Sequence, residues 1–195
     1  NSNGAEWKHS RELIFDAGNE YRKYEVLDVS HPTMGIDHIH WNGEDYEVYP
    51  FIDEPRPHYL YDEDANGSFF IRNSDNWQIE TTCEYIWVMY RMQCPELLTG
   101  KMMIDGWWTT DANPETYEMT YDAHAGMYTA RILQKQGYYS YQYLWKLADG
   151  STRYAPSEGS YYQTENRYQV FVYYRGINDN YWRLSAFRLY SSGSM

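Results

Sequence analysis

Apolar and polar residues alternate with a period of two along much of the chain, the spacing at which successive side chains of a β-strand point to opposite faces. Between Thr81 and Met92 both faces of the predicted strand are apolar. One face contains Trp87 and the other contains Val88 and Tyr90, as in a strand at the centre of a sandwich. Further strands are predicted at 21–29, 36–41, 44–52, 68–72, 101–104, 117–121, 127–133, 138–147 and 167–174. The pattern therefore predicts an all-β fold.

Turn-forming residues separate these predicted strands at intervals typical of a β-sandwich. Asn42-Gly43 predicts a hairpin with a two-residue type I′ turn. The cluster Asn73–Asn76 is the best candidate for a domain boundary. We therefore expect two β units. Residues 1–76 form a sandwich or part of one, and residues 77–195 form a complete sandwich. The nearest candidate for a helix is Ser10–Asp16, which fits a strand equally well.

Composition supports the β prediction and narrows the class of partner. The chain contains 23 Tyr, 8 Trp and 6 Phe, residue types that suit a pleated, half-buried surface. The net charge of −12 argues against binding to nucleic acid and to an anionic membrane surface. No apolar run approaches the roughly 18 residues that a spanning helix needs. Because the chain begins at Asn1, we expect a mature protein or an excised fragment without its targeting signal.

The aromatic residues are too many for one core, so some are expected at the surface or beneath a partner. Exposed Tyr and Trp are common anchors of protein interfaces and also platforms for sugar rings. Their loop positions make five aromatic residues candidates for contact with a partner or a glycan: Trp107, Trp108, Tyr138, Tyr161 and Tyr162.

One loop has part of the pattern of a calcium site. Asp62, Asp64 and Asn66 occupy alternating positions before Gly67, as in the first half of an EF-hand loop. Asn73 stands at the twelfth position, where that loop has a bidentate Glu. Two interpretations remain, a Ca²⁺ site and an acidic turn. No motif for nucleophilic, metal-dependent or phosphate chemistry is present, so we expect neither an enzyme nor any cofactor besides this possible Ca²⁺.

The second half resembles the early-set immunoglobulin-like modules, among them modules that bind glycogen and starch. The motifs that carry the resemblance are Asp105-Gly106-Trp107-Trp108, Tyr117–Met119, Gly126–Ala130, Gly137–Tyr143 and Ala148-Asp149-Gly150. The resemblance implies an immunoglobulin-like sandwich over 77–195, with glucan contacts at Trp107 or Trp108 and at Asn166. Gln142 stands where those modules have a lysine, and the tryptophan after the Asp-Gly turn is missing.

A longer resemblance covers nearly the whole chain, and it is to the plug proteins of the type IX secretion system of Bacteroidota. The segments that carry it are 11–25, 61–67, 133–143, 158–160 together with 163–168, and 172–175. It implies that the chain is the C-terminal portion of a periplasmic protein associated with the outer membrane. Such a protein binds and closes the large outer-membrane β-barrel translocon, and neither catalysis nor membrane insertion is implied. This function is the leading prediction, and a carbohydrate (glucan)-binding module is the alternative.

Overall fold

The computed structural model describes residues 14–109 and 113–192. The structure is 43% strand and 6% helix, which confirms the predicted all-β fold. The helices of the described residues are one α-helical turn, α1 (Ile79–Thr82), and two 3₁₀ turns, Trp107–Thr109 and Pro114–Tyr117. No helix in these residues is long and apolar enough to cross a membrane.

One sheet is built around β9 (Gly137–Lys146), the longest strand described. The first half of β9 pairs with β1 (Arg22–Val26) and with β4 (Phe69–Ile71). The second half pairs with β6 (Lys101–Asp105) and with β10 (Thr152–Tyr154). All four pairings are antiparallel, so both edges of β9 are occupied by short partners.

The other large sheet has five strands in the order β2, β3, β5, β8, β7. Its strands are β2 (Ile36–Trp41), β3 (Tyr46–Pro50), β5 (Tyr85–Met92), β7 (Thr120–Asp122) and β8 (Met127–Lys135). The β3–β5 pairing is parallel and the others are antiparallel.

The two large sheets are arranged as in a sandwich, and their facing side chains form one core. Alternation along β9 buries Tyr139, Tyr141 and Tyr143, and alternation along β5 buries Val88 and Tyr90. Tyrosine rings therefore make up a large part of this core. The early-set immunoglobulin assignment is finer than this architecture and stays a prediction.

The strand pairing does not follow the division predicted at residue 76. β1 and β4 precede that position and pair with β9, which follows it, and β3 pairs with β5 across it in the same way. The residues on both sides also share one core. Asn73–Asn76 forms a turn, as predicted, but turn chemistry reverses the chain without ending the hydrogen bonding between strands.

The predicted hairpin at residues 36–52 is present, but its connection differs from the prediction. β2 and β3 are joined by the four residues Asn42–Asp45. The side-chain oxygen of Asn42 accepts hydrogen bonds from the backbone N–H groups of Glu44 and Asp45. This Asx-type bonding stabilises a longer loop than the two-residue type I′ turn. The helix candidate at Ser10–Asp16 lies mostly outside the described residues.

A separate two-stranded hairpin consists of β11 (Arg167–Tyr174) and β12 (Arg183–Ser191). Only its first strand was predicted from the sequence. At its base, Ser192 N–H donates to the Asn166 carbonyl at 2.9 Å. Asn166 Nδ2 in turn donates to the Ala17 carbonyl at 2.8 Å. These bonds attach the hairpin to the segment that leads into β1.

Candidate functional site

The structure separates the two adjacent tryptophans that were predicted as contact residues. Trp107 begins a 3₁₀ turn and is 68% exposed. Trp108 is half-buried, and its Nε1 donates to the Ser140 carbonyl at 3.3 Å. The Trp108 ring also lies edge-on to the rings of Tyr117 and Tyr139. Trp108 therefore belongs to the edge of the core, and Trp107 is the tryptophan that a ligand can reach.

The three predicted tyrosines also divide by exposure. Tyr138 is half-buried, with its ring 6.1 Å from that of Phe70, and burial raises its pKa. The Tyr161 hydroxyl donates to the Arg56 carbonyl, so this side chain ties two loops together. Tyr162 is 80% exposed. Of the five aromatic candidates, Trp107 and Tyr162 thus present large accessible surfaces.

Trp107, Asn66 and Asn166, which are distant in sequence, line one cleft of about 540 Å³. Its remaining lining residues are Glu165, Arg167, Ser191 and Ser192. A recess of about 230 Å³ adjoins it and shares Asn66, Glu165, Asn166 and Arg167 with it. The structure therefore brings a residue of the suspected calcium loop together with two residues of the suspected glycan site.

Backbone contacts explain why Trp107 and Asn66 meet. The backbone N–H of Trp107 donates to the Gly67 carbonyl at 2.9 Å. Gly67 has φ of 80°, and a Cβ there would lie 2.8 Å from the Tyr21 ring and 3.3 Å from the Trp107 ring. Glycine thus allows the turn after Asn66 to approach both aromatic rings.

The cleft combines an aromatic face with polar groups of several kinds. The Asn166 amide nitrogen is held by the Ala17 carbonyl, which leaves its side-chain oxygen as an acceptor. The lining residues Glu165, Arg167 and Ser191 have a carboxylate, a guanidinium and a hydroxyl in their side chains. Such a mixture of donors and acceptors beside an indole suits a small ligand rich in hydroxyl groups.

The carboxylates of the suspected calcium loop already have protein partners. Lys23 Nζ lies 2.7 Å from Asp62 Oδ1. Asp64 accepts hydrogen bonds from the backbone N–H groups of Asn66, at 2.6 Å, and of Tyr21. Burial raises the Asp64 pKa, while these two hydrogen bonds act in the opposite direction. Within residues 14–109 and 113–192, no group of three His, Cys, Asp or Glu side chains is placed to hold a metal ion.

The β11–β12 hairpin is an exposed surface that sequence reasoning did not identify as a site. The exposed large apolar side chains of β11, β12 and their connecting turn are Val170, Phe171, Val172, Tyr173, Tyr174, Ile177, Tyr181, Trp182, Leu184, Phe187, Leu189 and Tyr190. The available signal was the density of aromatic pairs at 173–174 and 181–182. Period-two alternation did not predict that these side chains are exposed, because it assigns each strand an inner face whether or not another layer covers that face.

Comparison with known proteins supports the fold and leaves the activity open. No protein-family model matches the chain, and no curated protein matches it. The chain is similar to the crystal structure of a hypothetical protein from Parabacteroides merdae, with 35% sequence identity and a TM-score of 0.82. The match covers 93% of this chain and 46% of that protein, so this chain spans less than half of its length.

Proposed function

We propose that this protein is a non-catalytic periplasmic plug, or gating component, that binds the outer-membrane β-barrel translocon of the type IX secretion system. The similarity to a protein from Parabacteroides, a member of the Bacteroidota, is compatible with this proposal. Because the match covers less than half of that protein, the activity of the whole protein belongs to the proposal as well.

The observation that carries the proposal is the exposed β11–β12 hairpin. Phe171 and Phe187 are about half exposed even though their rings lie 5.2 Å apart. An isolated two-stranded hairpin is marginally stable in water, and an uncovered apolar patch of this kind typically marks an interaction site. A reversible plug requires such a patch on a rigid body, and the sandwich core provides the rigid body.

The test is co-purification of the full-length protein, tagged at its native locus, from membranes extracted in mild detergent. We expect the giant barrel to be recovered in nearly equal amount. A matched sample with the same tag on another periplasmic protein sets the background. Recovery of soluble protein alone, with the barrel at background level, would contradict the proposed function.

The cleft beside Trp107 supports a second candidate function, the binding of a saccharide. An exposed indole gives an apolar face on which a sugar ring stacks. Asn66, Glu165, Asn166 and Arg167 surround it with hydrogen-bonding groups. The cleft volume of about 540 Å³ falls within the usual range for small-ligand sites.

A fluorescence titration with a soluble glucan tests this second candidate. We expect quenching of tryptophan emission by the wild type, and loss of that response in Trp107→Ala. Trp77→Ala is the matched control, because Trp77 is also 68% exposed but does not line the cleft. A wild type that shows no quenching, or an equal loss of response in both variants, would remove this candidate.

A further inference from the structure

The β11–β12 hairpin has the opposite charge to the rest of the protein. Residues 167–191 contain four arginines, Arg167, Arg175, Arg183 and Arg188, and one acidic residue, Asp179. This segment has a net charge of +3 in a chain whose total is −12, so the remaining residues have −15. The apolar hairpin is therefore also a basic element on an acidic body.

Both faces of the hairpin are apolar. Side chains of directly paired residues lie on the same face of a sheet. Phe171 pairs with Phe187 on one face. Val170 pairs with Arg188 on the other, next to the Tyr168–Tyr190 pair. A partner that covers the hairpin therefore contacts apolar side chains on two sides, and on one side it also meets the Arg188 guanidinium.

The edges of the hairpin are open within the described part of the chain. β11 and β12 pair with each other, and no third described strand pairs with either. Open strand edges have unpaired backbone N–H and C=O groups, onto which a strand of another protein can add. In the hydrocarbon of a bilayer the same groups would be costly, because no water is present to satisfy them.

Charge also favours a protein over a lipid surface as the occupant. An anionic bilayer would attract the four arginines of the hairpin but repel the body, which has a net charge of −15. An acidic protein surface that is limited in area can face the hairpin without facing the whole body. Tyr, Trp and Arg are also the residue types most enriched among the dominant contacts of protein interfaces.

Resting on the proposed function, we propose that the β11–β12 hairpin is the element that docks this protein onto the translocon. The surface that receives it is apolar, bears acidic side chains opposite the arginines, and offers a β-strand to one open edge. Arg188 is the sharpest probe, since it lies near the middle of β12, pairs with Val170 and is exposed.

The experiment compares charge reversals at two exposed arginines in the full-length protein at its native locus. Arg188→Glu alters the hairpin, and Arg153→Glu makes the same chemical change on β10, outside it. We expect Arg188→Glu to lower the amount of barrel recovered per tagged protein about tenfold or more, since a glutamate there would repel the acidic side chains of the receiving surface. We expect Arg153→Glu to leave the recovered amount within about twofold, because Arg153 lies outside the hairpin. We expect Arg188→Lys to retain most of it, because lysine keeps the positive charge.

Two further measurements separate misfolding and lipid binding from loss of docking. The thermal unfolding midpoint of Arg188→Glu should equal that of Arg153→Glu. If the midpoint of Arg188→Glu is lower, Arg188→Gln takes the place of Arg188→Glu in the comparison, because it removes the charge without reversing it. Equal recovery of the barrel with the hairpin variant and its control would overturn the docking inference and leave the proposed function standing. Absence of the barrel from the wild-type sample would overturn both. Binding of the purified full-length protein to phosphatidylglycerol vesicles, lost in Arg188→Glu, would assign the hairpin to the bilayer and overturn the choice of a protein surface.

Discussion

The Arg22 guanidinium lies 2.9 Å from the Asp53 carboxylate in the interior of the sandwich, where the Arg22 side chain is 7% exposed. The other Asp53 oxygen accepts hydrogen bonds from the hydroxyls of Tyr141, at 2.8 Å, and Tyr143, at 2.7 Å. Arg22 Nε also lies 3.0 Å from a carboxylate oxygen of Glu158, which is almost completely buried. This network joins β1 and β9 to two loops. Burial opposes the charge of Arg22, but Asp53 and Glu158 raise its pKa, so it stays protonated.

Asp53→Ala should lower the free energy of unfolding by about 3 kcal/mol, because it removes one carboxylate from a buried guanidinium, which keeps Glu158, and leaves two buried hydroxyls without their acceptor. Chemical denaturation in urea measures this loss. The control is Lys101→Ala, which removes a surface ion pair with Glu118 and should cost less than about 1 kcal/mol. Equal losses in the two variants would show that the buried network contributes no more than a surface pair.

Alkaline pH should unfold the protein. Burial raises the pKa of Tyr24, Tyr90, Tyr141 and Tyr143 well above the ordinary 10.0. The unfolded state therefore loses these protons first as pH rises, so their contribution to stability is complete below about pH 10 and is lost above it. Each such group lowers the free energy of unfolding by about 1.4 kcal/mol per pH unit in that range.

Absorbance at 295 nm and circular dichroism, followed together from pH 9 upward, check the alkaline prediction. The buried tyrosines should ionise together with loss of β signal. In Tyr143→Phe, the fall of stability with pH should be less steep by up to about 1.4 kcal/mol per unit. Ionisation of all tyrosines near pH 10 in a protein that keeps its β signal would contradict the prediction.

Gly137→Ala should destabilise the first sheet. Gly137 has φ of 156°, and a Cβ there would lie 2.2 Å from the backbone oxygen of Phe70 on β4. Since a backbone atom cannot move aside as a side chain can, we expect the free energy of unfolding to fall by about 3 kcal/mol, at the upper end of the cost of overpacking.

The matched control for Gly137→Ala is Gly126→Ala. Gly126 also has positive φ, at 67°, but a Cβ there meets no atom within 4 Å. Only the left-handed backbone penalises alanine at this position, at about 1 to 2 kcal/mol. Thermal unfolding of the two variants measures the difference in stability between them. A smaller loss of stability at Gly137 than at Gly126 would show that β4 moves away from the added methyl group at little cost.

Millimolar Ca²⁺ should leave the thermal unfolding midpoint unchanged. Asp62 is paired with Lys23, and Asp64 is bound by two backbone N–H groups, so an ion would have to displace existing partners. A ligand present at 100 times its Kd would stabilise the fold by about 2.7 kcal/mol, which corresponds to several degrees. Such a rise, abolished in Asp64→Asn, would restore the calcium interpretation.

The candidate sites show how far local pattern reaches. Loop position marked Trp107 and Trp108 equally, yet one is exposed and the other packs against Tyr139. Asn66 and Asn166 were selected for different reasons and line the same cleft. Spacing along the chain cannot predict that these two residues line one cleft. Their proximity depends on the backbone hydrogen bond between Trp107 and Gly67 and on where the base of the β11–β12 hairpin is attached.

For β5 the sequence predicted two covered faces, whereas the structure buries one, that of Ile86, Val88, Tyr90 and Met92. What the sequence by itself determined is the all-β character of this protein. It did so because alternation and aromatic content act locally, over a few residues of each strand. The tertiary structure alone decided that strands on both sides of residue 76 share two sheets, and that β11 and β12 form a hairpin outside them. Strand pairing depends on backbone hydrogen bonds between distant segments, whose N–H and C=O groups are the same at nearly every residue. Local sequence therefore specifies which side of a strand is apolar, while the partner that covers it is selected by the whole chain.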